Sequence, residues 1–200
     1  MLIGYLHMTF GIDYGSKMAG TTVIAYQESA GDIRLVQSAK NQDADQMILN
    51  QVELLKPDLV GIDAPLSLPG VYTGLEGCED YFYRQSDKQA GAMSPMFLGG
   101  LTARAMRLKK QLNERGVEVI EVYPVKSATQ LDLQRFGYRK KEVKTEELLN
   151  SLKTVGLQVD LSQSYRSHDI DALLAYRTTV QFTQGEALQF GAEREGIIYY

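Results

Sequence analysis

The sequence has a single cysteine, Cys78, among its 200 residues. One cysteine excludes an internal disulfide and a cysteine-rich zinc site, and it suits a reducing compartment, so we expect a cytoplasmic protein. Long apolar runs are also missing, because none approaches the ~18 residues that a membrane-spanning helix needs. The first ten residues, MLIGYLHMTF, lack the basic start and the small-residue cleavage site of a signal peptide. We therefore expect no membrane partner, and residues 1–7 are either an extension or part of a longer first strand.

An excess of basic residues is absent as well. Lys and Arg total 21 against 25 Asp and Glu, which gives a formal net charge of −4. This balance argues against a histone-like, strongly basic nucleic-acid binder. It does not exclude an enzyme that keeps its carboxylates for a metal and its basic side chains on one face. With hydrophobic residues at 44%, the chain has the composition of a globular protein, and its length predicts a single domain over residues 1–200.

The order of the predicted elements indicates the fold class. Strands are expected at 9–14, 20–26, 33–38, 59–63 and 117–122, with a last edge strand at 197–200. Helices are expected at 44–56, 101–114, 140–155 and 167–182. The first three strands are close enough for an antiparallel meander. The pattern predicts an α/β fold, a five-stranded mixed sheet made of a three-strand antiparallel meander plus two parallel strands, flanked by helices.

An irregular insertion is expected at about residues 65–100, which hold three of the five prolines. Long loops of this kind tend to be functional or disordered. The insertion contains a run of three aromatic residues, Tyr81, Phe82 and Tyr83. These rings either stack on nucleic-acid bases or form a small core of the loop's own, and the second alternative is favoured.

Acidic residues stand at the ends of three predicted strands. FGIDYG places Asp13, VGIDAP places Asp63, and VIEVYP places Glu121. Side chains alternate between the faces of a strand, so Asp13 shares a face with Gly11 and Asp63 shares one with Gly61. We expect these glycines to leave open space above the backbone. In open α/β sheets the ligand crevice lies outside the carboxyl ends of the strands, so we expect Asp13 and Asp63 to meet there.

Two more acids, Asp169 and Asp171, lie in the first turn of the last predicted helix, where the helix dipole favours carboxylates. Converging carboxylates repel one another and raise one another's pKa values. A hard divalent cation removes that conflict, and two such ions can activate a water and stabilise a leaving oxygen. A lone acid at any of these positions is usually a turn or cap residue. The joint pattern nevertheless predicts Mg²⁺ or Mn²⁺ as cofactor, as one or two ions.

Five segments carry a family resemblance: GIDYGSKMAG, GIDAPLSLP, IEVYP, HDIDALLA and the terminal EGII. They resemble the ribonuclease H-like superfamily, and the first segment and DALLAY are similar to motifs of its Holliday-junction resolvase branch. The set as a whole resembles the domain of unknown function 429 family of predicted nucleases. The resemblance implies a ribonuclease H-like fold and an active site of five carboxylates. Those catalytic residues are Asp13, Asp63, Glu121, Asp169 and Asp171. It implies metal ligation by Asp13, Asp63 and Asp171.

Four basic residues are candidates for substrate binding. Lys17 lies in the turn after the first strand, Arg84 in the insertion and Arg104 in a basic cluster on a predicted helix, and His168 precedes the last acids. Each of two candidates also has a structural explanation without substrate binding. Lys17 could be a solvated lysine of the turn, and His168 could cap the last helix. A second basic cluster spans residues 135–144. If both clusters flank the crevice, they contact a nucleic-acid backbone.

The sequence therefore predicts a metal-dependent nuclease that hydrolyses phosphodiester bonds, with DNA or RNA as partner. Two other functions stay open. One is a nucleotide-binding ATPase of the actin and sugar-kinase type, whose first phosphate loop also reads Gly-Ile-Asp-x-Gly-Ser. The other is a non-catalytic ribonuclease H-like scaffold or regulatory module. The choice between DNA and RNA is open, and a homodimer is among the alternatives for the oligomeric state.

Overall fold

The computed structural model describes residues 8–28 and 31–200, so the expectation for residues 1–7 lies outside the described residues. Within them, seven strands form one mixed sheet in the order β3-β2-β1-β4-β5-β7-β6. The strands are β1 Thr9–Asp13, β2 Val23–Tyr26, β3 Arg34–Gln37, β4 Leu59–Asp63, β5 Glu118–Val122, β6 Gln189–Ala192 and β7 Gly196–Tyr199. The α-helices are α1 Ala44–Leu55, α2 Gln85–Ala90, α3 Pro95–Leu98, α4 Gly100–Asn113, α5 Pro124–Gln130, α6 Thr145–Thr154 and α7 Ser167–Thr183.

The sheet combines an antiparallel and a parallel half. β1, β2 and β3 form an antiparallel meander, while β4 pairs in parallel with both β1 and β5. The α/β class with a mixed sheet is thus confirmed. The strand count of five is wrong, because β6 and β7 extend the sheet to seven strands. β7 lies between β5 and β6 instead of at the edge. β6 has four partly or fully exposed residues that include Gly191, so it lacks the alternation of apolar and polar residues that marks a strand.

The helices differ from the predicted pattern in three regions. Pro124 was expected only to end a strand, but it also begins α5, where a proline at the first helical position loses no hydrogen bond. The helix expected over 140–155 is α6, Thr145–Thr154. Residues 140–144 precede it as a loop, in which Val143 is 44% exposed instead of packed on an apolar helix face. The insertion expected to be irregular contains α2, α3 and a short 3₁₀ helix, Gly70–Thr73.

The two faces of the sheet carry different helices. On one face Phe10, Ile12 and Ile62 pack with Ile48 of α1 and Leu108 of α4. On the other face α6 and α7 build a second apolar cluster against β2. Because side chains alternate along a strand, the residues between these apolar positions of β1 and β4, including the terminal aspartates, belong to the α7 face. Among the described helices, none is long and apolar enough to cross a membrane.

Two glycines allow α7 to lie directly on the sheet. A Cβ at Gly11 would stand 1.9 Å from the backbone nitrogen of Tyr176, and a Cβ at Gly61 would stand 2.0 Å from Thr179 Oγ1. The expectation that these glycines leave open space is therefore wrong, because α7 fills it, with its backbone at Gly11 and with the Thr179 side chain at Gly61. Their position explains the repeated Gly-Ile-Asp. Each glycine admits α7, and the aspartate two residues later lies at the carboxyl end of its strand, towards the beginning of that helix.

Candidate active site

Asp13 and Asp63 lie side by side at the point where the strand order of the sheet reverses. They are register partners at the ends of β1 and β4. From β1 the chain proceeds outward through β2 and β3, whereas β4 leads to the other half of the sheet. In doubly wound sheets this switch point is where ligands bind. A cavity of about 730 Å³ opens there, and both aspartates line it together with Glu121, Tyr123 and Arg139.

Asp13 is a buried carboxyl group in an acidic environment. Burial, followed by repulsion from Asp171, raises its pKa from 3.8 to about 8, against the opposing charge of Arg139. Its Oδ2 lies 2.7 Å from Nδ1 of His168. This contact is a hydrogen bond in either state, since an ionised Asp13 accepts from Nδ1–H and a protonated Asp13 donates to the bare nitrogen. His168, predicted as a substrate-binding residue, thus holds Asp13.

Asp63 is the second carboxyl group at the switch point. Burial raises its pKa well above the ordinary value, and repulsion from Asp13 and Asp171 adds to the shift. Its side chain is partly exposed in the cavity. Burial also raises the pKa of Tyr123, and the charge of Asp63 adds to it. Two neighbouring carboxyl groups with raised pKa values form a site that favours a proton or another cation.

Asp171 is already paired. Its Oδ2 accepts a hydrogen bond of 2.7 Å from Nη2 of Arg139, and its Oδ1 accepts one from the Tyr138 hydroxyl. Arg139 has a φ of 57°, a left-handed conformation that costs a residue other than glycine on the order of 1 kcal/mol or more. The loop before α6 therefore adopts a strained backbone that brings a guanidinium beside the aspartates.

Asp169, the first acid of α7, has a capping role in the structure. It is buried, and its Oδ2 accepts from the backbone N–H of Arg166 at 2.7 Å and from the Arg166 Nε at 3.2 Å. This is one half of a capping box at the start of α7, in which the N3 carboxylate accepts from the N-cap backbone N–H. The other half is missing, because an arginine side chain has no acceptor for the N–H of Asp169. Asp169 also raises the pKa of Asp13. It therefore acts on the site through charge and through the position of the helix.

Glu121 lines the cavity, but both of its oxygens are occupied. Oε1 accepts from Nη2 of Arg84 at 2.6 Å, and Oε2 accepts from Nη1 at 2.7 Å and from the Leu66 backbone N–H at 2.8 Å. Arg84 is fully buried and also bonds Asp87. Burial raises the pKa of Glu121, while the guanidinium opposes that shift. Arg84, predicted to bind substrate, instead ties the insertion to β5, and no face of it reaches solvent.

The other two predicted substrate-binding residues lie in ion pairs, at the surface for Lys17 and partly buried for Arg104. Lys17 contacts Asp43 at 2.9 Å, with both side chains about two-fifths exposed. Arg104 contacts Asp45 at 2.7 Å and lies over the ring of Tyr14, 4.8 Å from its centroid. Tyr14 lines the cavity, so Arg104 supports the cavity wall from behind.

Sequence reasoning missed the pair of Tyr138 and Arg139. The sequence puts Arg139 in a basic cluster that we expect to contact a nucleic-acid backbone, and no sequence pattern singles out Tyr138. The two residues precede Asp171 by more than thirty positions in the chain, and they meet it only through the fold. Local spacing gives no signal of this kind. The rare left-handed backbone at Arg139 is likewise invisible in the sequence.

The donor set fits one divalent cation better than two. Over residues 8–28 and 31–200, no three His, Cys, Asp or Glu side chains form a group that could hold a metal ion. Arg139 and Tyr138 occupy Asp171, and Arg84 occupies Glu121. The remaining pair, Asp13 and Asp63, matches the one or two carboxylates with which Mg²⁺ is usually bound, its other positions being filled by water and phosphate oxygens.

Comparison of the chain with protein-family models gives no match, and comparison with curated proteins gives none either. The functional conclusion therefore depends on the geometry of the Asp13–Asp63 cavity.

Proposed function

We propose that this chain is a ribonuclease H-like nuclease that uses Mg²⁺ or Mn²⁺ to hydrolyse phosphodiester bonds. The observation that carries the proposal is the pairing of Asp13 with Asp63 at the switch point of the sheet. The order β3-β2-β1-β4-β5, with an antiparallel meander and then parallel strands, supports a ribonuclease H-like core. The position of α7 supports it further, since Asp171, which lies just beyond the first turn of the helix and not in it as expected, is within electrostatic range of both strand-end acids.

The chemistry of the site suits a phosphodiester. A divalent cation held by Asp13 and Asp63 would neutralise their repulsion and supply Lewis acidity for hydrolysis. The chain's own residues would position the ligands of the cation and bind the phosphate. His168 holds Asp13 through its Nδ1. Arg139 lines the cavity with a positive charge, and guanidinium groups bind phosphate oxygens readily. Glu121, fixed by Arg84, keeps the insertion closed against the strand ends.

One observation favours a second candidate, the non-catalytic ribonuclease H-like module. Arg139 already supplies a positive charge to the aspartates and pairs directly with Asp171. In a scaffold this internal cation would replace the metal permanently. The two candidates differ in one property, since the nuclease must accept a divalent cation at Asp13 and Asp63 and the scaffold must not.

The direct test is cleavage of end-labelled single-stranded and structured DNA and RNA by the purified chain. We expect cleavage with Mn²⁺ or Mg²⁺ and none in EDTA. Asp13→Asn and Asp63→Asn should each lower the rate by more than the ~10–100-fold typical of changes beyond the ligand shell. Glu53→Gln is the matched control, because Glu53 is an exposed acid on α1. Full activity of Asp13→Asn would refute the assignment.

A further inference from the structure

A group of aromatic rings borders the carboxylate cavity. Phe97 lies 5.6 Å from Phe82 and 5.9 Å from Tyr83 between ring centroids. We call these three residues the aromatic platform. Phe97 is 63% exposed and Phe82 is 53% exposed. Of the three rings expected to form a small core of the loop's own, Tyr81 and Phe82 are therefore more than half exposed. This exposure leaves part of the Phe97 and Phe82 ring surface accessible to a ligand.

The aromatic platform is continuous with the site. Tyr83 and Phe97 line the same cavity as Asp13 and Asp63, and Arg139 lines it as well. A ligand in this cavity therefore meets carboxylates, a guanidinium and aromatic rings. A nucleotide unit matches this combination, because its phosphate suits a cation and the guanidinium, and its base suits a ring face.

The aromatic platform is also held in place by the fold. Ser94 caps α3 by accepting from the backbone N–H of Met96, and its hydroxyl donates to the carbonyl of Phe82. The next residue after Tyr83 is the buried Arg84, which is bonded to β5 through Glu121. Two neighbouring stretches of the insertion are thus fixed to each other and to the sheet. A fixed ring loses little conformational entropy when a base stacks on it.

We infer that the aromatic platform stacks an unpaired base, so that the substrate class of the proposed nuclease is single-stranded or locally unpaired nucleic acid. This inference rests on the proposed function for the position of the phosphate. In a duplex each base face is covered by its neighbours, whereas an unpaired base offers its face to an aromatic side chain. The exposed ring of Phe97 therefore selects for strands that are not paired.

Phe97→Trp provides the test, because the chain contains no tryptophan. The variant is titrated in EDTA with a single strand of about 12 nucleotides, within the ~4–16 that such sites cover, and with a blunt-ended duplex of the same length. We expect the single strand to quench the new tryptophan fluorescence and the blunt-ended duplex to quench it little. Unchanged fluorescence with both, or equal quenching by both, would overturn the inference.

Anisotropy with a labelled single strand supplies the matched comparison. Phe97→Ala should weaken binding by roughly 5- to 150-fold, the loss expected for one stacked base, and Phe97→Tyr should restore it. Leu54→Ala, which removes an exposed apolar side chain on α1, should leave binding unchanged. Equal binding by Phe97→Ala and the wild type would overturn the inference. A second result would also overturn it: the wild type forms a dimer, and Phe97→Ala dissociates that dimer without weakening strand binding. The aromatic platform would then bind a second copy of the chain.

The outcomes separate this inference from the proposed function. Binding in EDTA does not depend on cleavage, so stacking at Phe97 without any metal-dependent cleavage would leave the inference standing and remove the nuclease. The opposite result is cleavage that depends on Asp13 and Asp63 together with normal single-strand binding by Phe97→Ala. That result would support the nuclease and overturn the inference about the aromatic platform.

Discussion

Asp13 and Asp63 are register partners at the ends of two neighbouring parallel strands, and burial raises the pKa of both. This relationship follows directly from the topology, because β1 and β4 are parallel neighbours at the point where the strand order reverses. Two such acids are unfavourable in the absence of a counter-charge. The fold supplies part of that charge through Arg139, and the remaining repulsion is what a bound cation would relieve.

The raised pKa of Asp13 predicts a pH-dependent stability. The folded protein keeps this proton up to about pH 8, whereas the unfolded chain releases it near pH 3.8. Between these values the folded state binds more protons, so the free energy of unfolding falls as pH rises. In EDTA, Asp13→Asn should therefore be more stable than the wild type at about pH 9, on the order of 2–4 kcal/mol, with little gain near pH 4. Parallel pH profiles of thermal unfolding for the two proteins would contradict this.

Arg139 should compete with a divalent cation. Its guanidinium lies beside the aspartates and pairs with Asp171 at 2.7 Å, so removing it lowers the repulsion that an incoming cation meets. We expect Arg139→Gln to tighten Mn²⁺ binding about tenfold, or ~1.4 kcal/mol, in calorimetric titrations. Arg135→Gln is the control, since Arg135 is an exposed arginine of the same region that pairs with Asp132. Weaker Mn²⁺ binding by Arg139→Gln would show that the arginine assists the metal.

The close approach of α7 to β1 predicts a strong effect of one methyl group. Gly11→Ala places a Cβ 1.9 Å from a helix backbone atom, and backbone cannot move aside as a flexible side chain can. We expect a loss of about 3 kcal/mol or more in unfolding free energy, roughly 6–12 °C in melting temperature. Gly100→Ala should change stability little, because a Cβ there meets nothing within 4 Å. Equal stability of the two variants would mean that α7 does not lie on Gly11.

The buried pair of Arg84 and Glu121 predicts a non-additive double mutant. Arg84→Met leaves Glu121 buried without its cation, which should cost about 3–5 kcal/mol in denaturant unfolding. Adding Glu121→Gln removes the uncompensated charge, so the double variant should be less destabilised than the sum of the two single variants. Additive losses would show that the two side chains do not act as a pair.

Much of the sheet could be predicted from the sequence because its signals are local. The alternation of residues and the spacing of turns predict the meander, and the parity of Gly-Ile-Asp places each aspartate on the face of its glycine. The role of Gly11 could not be predicted from local signals. The atom that lies where a Cβ of residue 11 would stand belongs to Tyr176, far along the chain. The same reason hid the pairing of Arg139 with Asp171 and that of Arg84 with Glu121. β6 escaped detection because its four residues carry almost no periodic signal.

The most direct test of the central claim is the anomalous scattering of manganese in crystals of the chain soaked in Mn²⁺. We predict one peak between the carboxylates of Asp13 and Asp63, and its loss in the Asp63→Asn variant. A map with no peak at these aspartates, and with Arg139 still bonded to Asp171, would contradict the account and favour the non-catalytic module.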